Sequence, residues 1–375
     1  MKRLPLIALI LLGSFALRAQ EQTATDSLKI LSNKILTMLE SSSVSAQLFF
    51  AYRYTDYSTA DSKNEFAIKR GYINFNHSIN ENLSGRITPD ITIDKEGDGE
   101  GDVEMRLKYC YMEYKHKGGK FFSNPKIVVG EVYTPFIEFE EKINRYRVEG
   151  SHYLDRIKQI SSADFGLTLS SELGGKIDAD YQKRVSKNHA GRFGSVAIGI
   201  YNGGGYHALE KNQNKTFQWR LSLRPLPEYI PGLQFSYTGA EGRGNTADEP
   251  YWNLHAGMCS YESEFFIVTG QAFTAKGNFE GKIIDAVNSK SLNNSGYSLF
   301  TEVKFLKKKF SFFGRYDKHT IEADAGNIDS KRYIAGLAYH IVGKSKLVID
   351  YDYWESTSAA DKNVGVYEIA VELAF

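Results

Sequence analysis

Cysteine is nearly absent. Cys110 and Cys259 are the only two in 375 residues, too few for a disulfide framework and without the close spacing of a metal-binding set. Charge of one sign is also lacking, since 46 Lys and Arg stand against 45 Asp and Glu. That balance argues against nucleic acid as a partner. Past residue 20 no apolar stretch approaches the roughly 20 residues a helix needs to cross a bilayer, so the remaining chain is soluble or spans by strands. Proline is scarce at 8, whereas 24 Tyr, 23 Phe and 33 Gly give the aromatic-rich, glycine-punctuated composition of half-buried strands.

The one sustained apolar run lies at the start. Lys2 and Arg3 precede Leu4 to Leu17, and the run closes on Arg18, Ala19 and Gln20, the layout of a secretory signal. Cleavage is expected near Ala19. Removing Lys2, Arg3 and Arg18 lowers the formal charge from +1 to −2. No cysteine follows to carry a lipoprotein anchor. Residues 20–43 form a periplasmic segment in which Asp26 to Ser41 reads as a short helix, with Leu28, Leu31, Ile35, Met38 and Leu39 on one face and Asp26 or Ser27 as its cap. A plug or oligomer contact is one reading of it; a helix resting on a barrel rim is the plainer one.

From Val44 the period changes to two and holds to Phe375. Leu83 to Asp94 is the clearest run, its odd positions apolar or small and its even positions polar; Pro89 inside it requires a local bulge or kink. Thr216 to Arg224, Leu233 to Thr238, Leu347 to Tyr353 and Tyr367 to Phe375 repeat the pattern. Less perfect alternation marks Ala46 to Tyr54, Phe66 to Ser78, Val103 to His116, Lys126 to Tyr133, Asp164 to Leu173, Ile177 to Val185, Phe193 to Asn202, Trp252 to Tyr261, Phe265 to Ala275, Tyr297 to Leu306, Phe310 to His319 and Arg332 to Val342. Barrels of this kind carry an even number of strands, so one of these about 17 runs is surplus and about 16 are expected. The suspects lie between Asp164 and Val185.

Connections fall into two kinds. Ile79 to Asn82, Leu306 to Lys309 and Val342 to Ser345 are tight, while Lys95 to Asp102, Asn202 to Lys215, Ala240 to Pro250, Asn278 to Ser295 and Thr357 to Asn363 are long and polar. This is the signature of an all-β, transmembrane, antiparallel up-and-down barrel over 44–375, with short turns on the periplasmic side and long external loops. In lipid every backbone group must be paired internally, so one side-chain parity meets hydrocarbon and the other faces water. A soluble β-sandwich also alternates but rarely sustains strands over such a length. Phe375 at the end of an apolar-alternating strand is similar to the terminal signal read by the barrel-assembly machinery. At about 16 strands the diameter leaves an aqueous channel.

Four segments carry a resemblance: Phe66 to Phe75 with Arg70 inside it, Gly130 to Phe136 followed by Glu138, Tyr201-Asn202-Gly203, and Arg220 to Pro225. In this order they resemble the phosphate-selective porin O and P family, 16-stranded outer-membrane porins of the Bacteroidetes type. The resemblance implies passive passage of small hydrophilic solutes or anions, phosphate among them, through a homotrimer embedded in outer-membrane lipid. It also implies that Phe136 to Ser162 folds inward and narrows the pore. That stretch carries Glu138, Glu140, Glu141, Lys142, Arg145, Arg147, Glu149, Asp155, Arg156 and Lys158, a mixed set that would set up a transverse field. Arg70, Arg86, Arg106, Lys108, Arg220, Arg224 and Arg315 are the basic wall candidates; Asp90, Asp94, Glu104, Glu302, Asp350 and Asp352 dilute them. The plainer reading is an external loop and hydrated wall charges.

Two other classes compete. A barrel enzyme needs a nucleophile and a base, but His77, His116, His152, His207 and His255 sit in no catalytic or metal spacing, so no catalytic residue, metal or cofactor is expected. An adhesion or assembly barrel would have a sealed lumen and would act through its loops. An energised receptor needs about 22 strands and a folded plug, for which the chain is too short.

Overall fold

The computed structural model describes residues 38–94, 99–324, 326–358 and 363–375, with positions 29 and 32 ahead of them. The expected leader and most of the expected helix from Asp26 to Ser41 lie outside these residues; Lys29, Ser32 and 38–40 are helical. Among the described residues no helix is long and apolar enough to cross a membrane.

Alternation at period two becomes strand throughout. The first eight strands are β1 (Ser42–Tyr57), β2 (Lys63–Ser78), β3 (Leu83–Ile93), β4 (Val103–Lys115), β5 (Phe122–Tyr133), β6 (Ala163–Leu173), β7 (Gly194–Tyr201) and β8 (Thr216–Leu223). The second eight are β9 (Leu233–Arg243), β10 (Tyr251–Glu262), β11 (Phe266–Lys276), β12 (Asn293–Phe305), β13 (Phe310–Ile321), β14 (Ile328–Val342), β15 (Ser345–Ser356) and β16 (Asn363–Ala374). Each pairs antiparallel with its sequence neighbours, and β1 pairs with β16 from Gln47 opposite Ala374 to Tyr57 opposite Val364, closing the barrel. Closure leaves no edge, so every spanning strand has partners on both sides. Ala46 and Phe375 exchange two backbone hydrogen bonds at the seam. The expected about 16 strands are therefore 16, with tight turns at 79–82, 306–309 and 343–344 all at one end. Two loops are shorter than expected, because β9 runs on to Arg243 and β12 begins at Asn293.

The surplus run is Ile177 to Val185. It contains α3 (Ala179–Arg184), which the Asp178 carboxylate caps by accepting from the backbone N–H of Asp180 and Tyr181. Its apolar residues Ile177, Tyr181 and Val185 recur every four positions and pack with Ala190, a helical spacing that the strand reading overlooked. Two further helices, α1 (Pro135–Ile143) and α2 (Tyr153–Arg156), lie between β5 and β6.

Outward side chains form a banded surface. At the loop end tilted tyrosine rings meet from strand to strand, with Tyr297–Tyr316 centroids 5.8 Å apart, Tyr316–Tyr333 5.0 Å, Tyr351–Tyr367 4.5 Å and Tyr54–Tyr367 6.3 Å. The aromatic pairs Phe305–Phe310 and Tyr261–Phe266 mark the turn end. Between these girdles Leu299, Leu337, Ile349 and Ile369 are exposed on the outer face. Aromatic rings at two levels around an aliphatic band are the outer surface of a membrane-spanning barrel.

Pro89 does sit at an irregularity. The β3–β4 register shifts between Thr88 and Pro89, leaving Lys108 as the extra residue, and the β1–β2 register shifts so that Lys69 is extra. A bulge turns an additional side chain toward one face. Lys69 and Arg70 thereby both point inward, as their contacts with Glu368 and Asp90 show.

Candidate functional site

Thr134 closes the neck of the excursion between β5 and β6. Its Oγ1 donates to Ser161 O at 2.6 Å and its N–H to Ser162 O at 3.2 Å. Gly130, just before, has φ of 126°, and a Cβ there would stand 2.3 Å from Cys110 O, so only glycine fits. Pro135 starts α1 at the first helical position, where its missing N–H costs nothing. One face of α1 then presents Phe136, Ile137, Phe139 and Ile143, and Tyr146, Val148, Tyr153, Leu154 and Ile160 continue the apolar series. These form one cluster with inward residues of β9–β13, including Leu254, Ala256, Met258, Ile267, Phe273 and Phe313, and with Phe49, Ala51, Val348 and Ala370 of β1, β15 and β16. Each large side chain removed from water contributes about 1.5–3 kcal/mol. The barrel thus holds a dry core inside its own lumen.

Polar anchors carry the segment across to other strands. Arg220 Nε donates to Pro135 O at 2.9 Å, Gln271 Nε2 to Glu140 at 2.5 Å and Arg315 Nη1 to Ser151 O at 2.9 Å. Tyr146 OH donates to Glu302 at 2.9 Å, Lys346 Nζ to Arg145 O at 3.0 Å and Lys69 Nζ to Glu149 O at 2.9 Å. From the opposite end the 174–193 connection also folds inward, and His189 Nε2 lies 3.2 Å from Glu138 while its ring stands 4.8 Å from that of Phe139. Arg224 fastens this second stretch by donating to Gly191 O.

The electrostatics follow from burial. Burial pushes the Glu140 carboxyl up to about 7. Burial works the same way on Glu138, but His189, Lys142 and Arg220 outweigh it and hold that carboxyl well below the ordinary range. Burial also opposes ionisation of Glu149, and Arg156, Arg315 and Arg332 overcome it, bringing the group down to about 2.

The other side of the lumen is charged. Asp90, fully buried on β3, lies 3.5 Å from Arg70 Nε and 3.3 Å from Arg106 Nη2, and accepts from Tyr206 OH at 3.0 Å. Lys108 Nζ sits 4.7 Å above the Tyr72 ring and 4.0 Å from Glu141, which Arg147 approaches at 3.7 Å. Arg86 donates to Thr88 and Asn74 and covers the Tyr109 ring at 4.7 Å. Next to this cluster is a cavity of about 430 Å³ between 149–158 of the inward segment and the walls of β1–β3 and β14–β16.

Of the residues singled out by sequence, Arg70, Asp90, Arg106, Lys108 and Arg147 come together, with Arg86 beside them. Arg156 borders the cavity and pairs with Glu149 at 2.6 Å. Glu138, Glu140 and Arg220 belong to the packed side, and Arg145, 3.1 Å from Glu262, and Arg224 lie with the second inward stretch. Arg220 and Arg224 are each only 2% exposed, so they act as anchors beneath the inward segments. Sequence reasoning missed Lys69, Tyr72, Tyr206 and His189. Only the bulge brings in Lys69, and strand parity could not have found it.

No protein-family model and no curated protein matches the chain. Solved structures do. OmpT, an outer membrane protein of Vibrio cholerae, aligns with a TM-score of 0.59 at 12% identity, covering 89% of this chain and 97% of that one. An anion-selective porin from Comamonas acidovorans aligns with a TM-score of 0.59 at 10% identity, covering 89% and 99%. Salmonella typhi OmpF, in complex with daunomycin, aligns with a TM-score of 0.56 at 13% identity, covering 88% and 97%. At such identities the likeness is one of fold. The resemblance to the phosphate-selective porin O and P family therefore rests on the quoted segments alone.

Proposed function

We propose that the chain is an outer-membrane porin, exported by a leader over 1–19 that is cleaved near Ala19, with a periplasmic segment over 20–43 and the barrel over 44–375 as its working part. Small hydrophilic solutes diffuse passively through a lumen narrowed by Phe136 to Ser162. The observation that carries this reading is a segment packed inside a closed barrel, with a cavity of about 430 Å³ left between it and the walls of β1–β3 and β14–β16. Arg70, Arg86, Arg106, Lys108 and Arg147 form the basic side of the passage; Asp90 and Glu141 temper it. Phosphate is the narrower family expectation, and that tempering weighs against a strongly anion-selective design. Assembly as a homotrimer, in lipid and by way of the barrel-assembly machinery, belongs to the same proposal, as does the absence of enzymatic activity.

A sealed barrel acting in adhesion or assembly is the second reading. It is favoured by the second inward stretch meeting α1 at His189 and Glu138 and by the burial of Phe49, Val348 and Ala370 at mid-height. Single-channel conductance in planar bilayers, with the reversal potential under a salt gradient, separates the two. Stable open steps support the porin; a folded barrel that never conducts supports the sealed alternative.

A further inference from the structure

The cavity of about 430 Å³ falls within the size range of sites that hold small molecules. Its lining carries six basic and six acidic side chains, interspersed around the wall. Acids stand on the β15–β16 side, where Asp350 and Glu368 are directly opposite in register and Asp352 follows. Lys69 and Arg70 stand on β2 with Glu65, and Arg156 and Lys158 on the inward segment with Glu149 and Asp155. Several of these charges are already matched: Glu368 by Lys69 and Arg53, and Asp352 by Arg332. Asp350 differs. It is only 6% exposed, its Oδ2 has no hydrogen-bond partner, and among the described residues no cation pairs with it. A buried carboxylate oxygen without a donor is costly unless something transient supplies one. Across the cavity Arg156 uses Nη2 on Glu149 and leaves Nη1 without a partner. A lone anion would meet six acids here and a lone cation six bases, whereas a solute bearing both charges meets a complement for each.

We propose that this cavity is a transit site for zwitterionic solutes of the amino-acid class, with Asp350 receiving the ammonium and Arg156 and Arg70 the carboxylate. The inference rests on the porin reading and deepens it by naming the solute class. The test is protein-dependent influx of radiolabelled alanine into proteoliposomes, beside lactamide, which is uncharged and of similar size, and lactate, which carries only the anion. Alanine is expected to enter faster than either, and Asp350→Asn is expected to lower the alanine-to-lactamide ratio about tenfold, the scale of one lost charge-assisted contact. Alanine entering no faster than lactamide, or a ratio unmoved by Asp350→Asn, overturns the zwitterion site while the porin stands. A folded barrel that admits none of the three solutes overturns the porin reading and this inference with it.

Discussion

The two halves of the lumen are built from the same inward parity and used in opposite ways. On β10 and β11 the inward positions are Leu254, Ala256, Met258, Ile267 and Phe273, all nearly inaccessible beneath the inward segment. On β2–β4 they include Asn74, Arg86 and Arg106, which are partly exposed, beside the buried Thr88, Asp90 and Lys108. A strand that packs on both faces loses its polar alternation, whereas one that faces water on one side keeps it. This accounts for the ragged pattern of Trp252 to Tyr261 beside the clean one of Leu83 to Asp94. A single barrel wall serves as an apolar core on β10 and β11 and as a charged lining on β2–β4.

The most severe way to break this contrast is to remove the filler. Replacing 137–160 with a short flexible linker is expected to multiply single-channel conductance, because the dry half becomes open lumen; unchanged conductance would mean the segment does not limit the passage. Next in size is the core itself. Phe139→Ala should cost about 3–5 kcal/mol in urea-unfolding experiments, while Lys158→Ala, on the charged side and 48% exposed at its side chain, should stay within about 0.5 kcal/mol. Equal losses would erase the distinction.

The pH dependence sharpens it further. Burial raises the Glu140 carboxyl from 4.5 to about 7, so the folded state holds that proton more tightly than the unfolded chain. Its contribution is therefore fully present below pH 4.5 and is lost as pH rises through about 7, a change on the order of 3 kcal/mol. Glu140→Gln should flatten that part of the stability profile, and a slope that persists would place its origin elsewhere. The smallest effect belongs to the wall charges. Arg70→Gln or Arg106→Gln should move the reversal potential slightly toward cations, since Asp90 then keeps a single arginine partner.

Much of the barrel was legible because strand parity and turn chemistry are local. Pro89 even marked its bulge, since a residue without an N–H disturbs the ladder wherever it falls. Ile177 to Val185 was misread because three apolar residues at spacing four also fit a short strand window, and the Asp178 cap was not weighed. The inward course of 136–162 came from the family resemblance; its apolar face against β9–β13 depends on contacts between positions 100 or more residues apart, which no local pattern encodes. The pairing of Lys69 with Arg70 on one face was hidden for a different reason, because a bulge breaks the very parity from which facing is read.

The central claim, a lumen divided into a dry half and a wet half, is tested most directly by thiol accessibility. Arg86→Cys and Ala256→Cys, each in a chain with Cys110→Ser and Cys259→Ser, would be exposed in bilayers to a charged, membrane-impermeant methanethiosulfonate reagent during conductance recording. The cysteine at position 86 is expected to react and reduce the current while the one at position 256 stays unreacted. Equal reaction at both positions would contradict it.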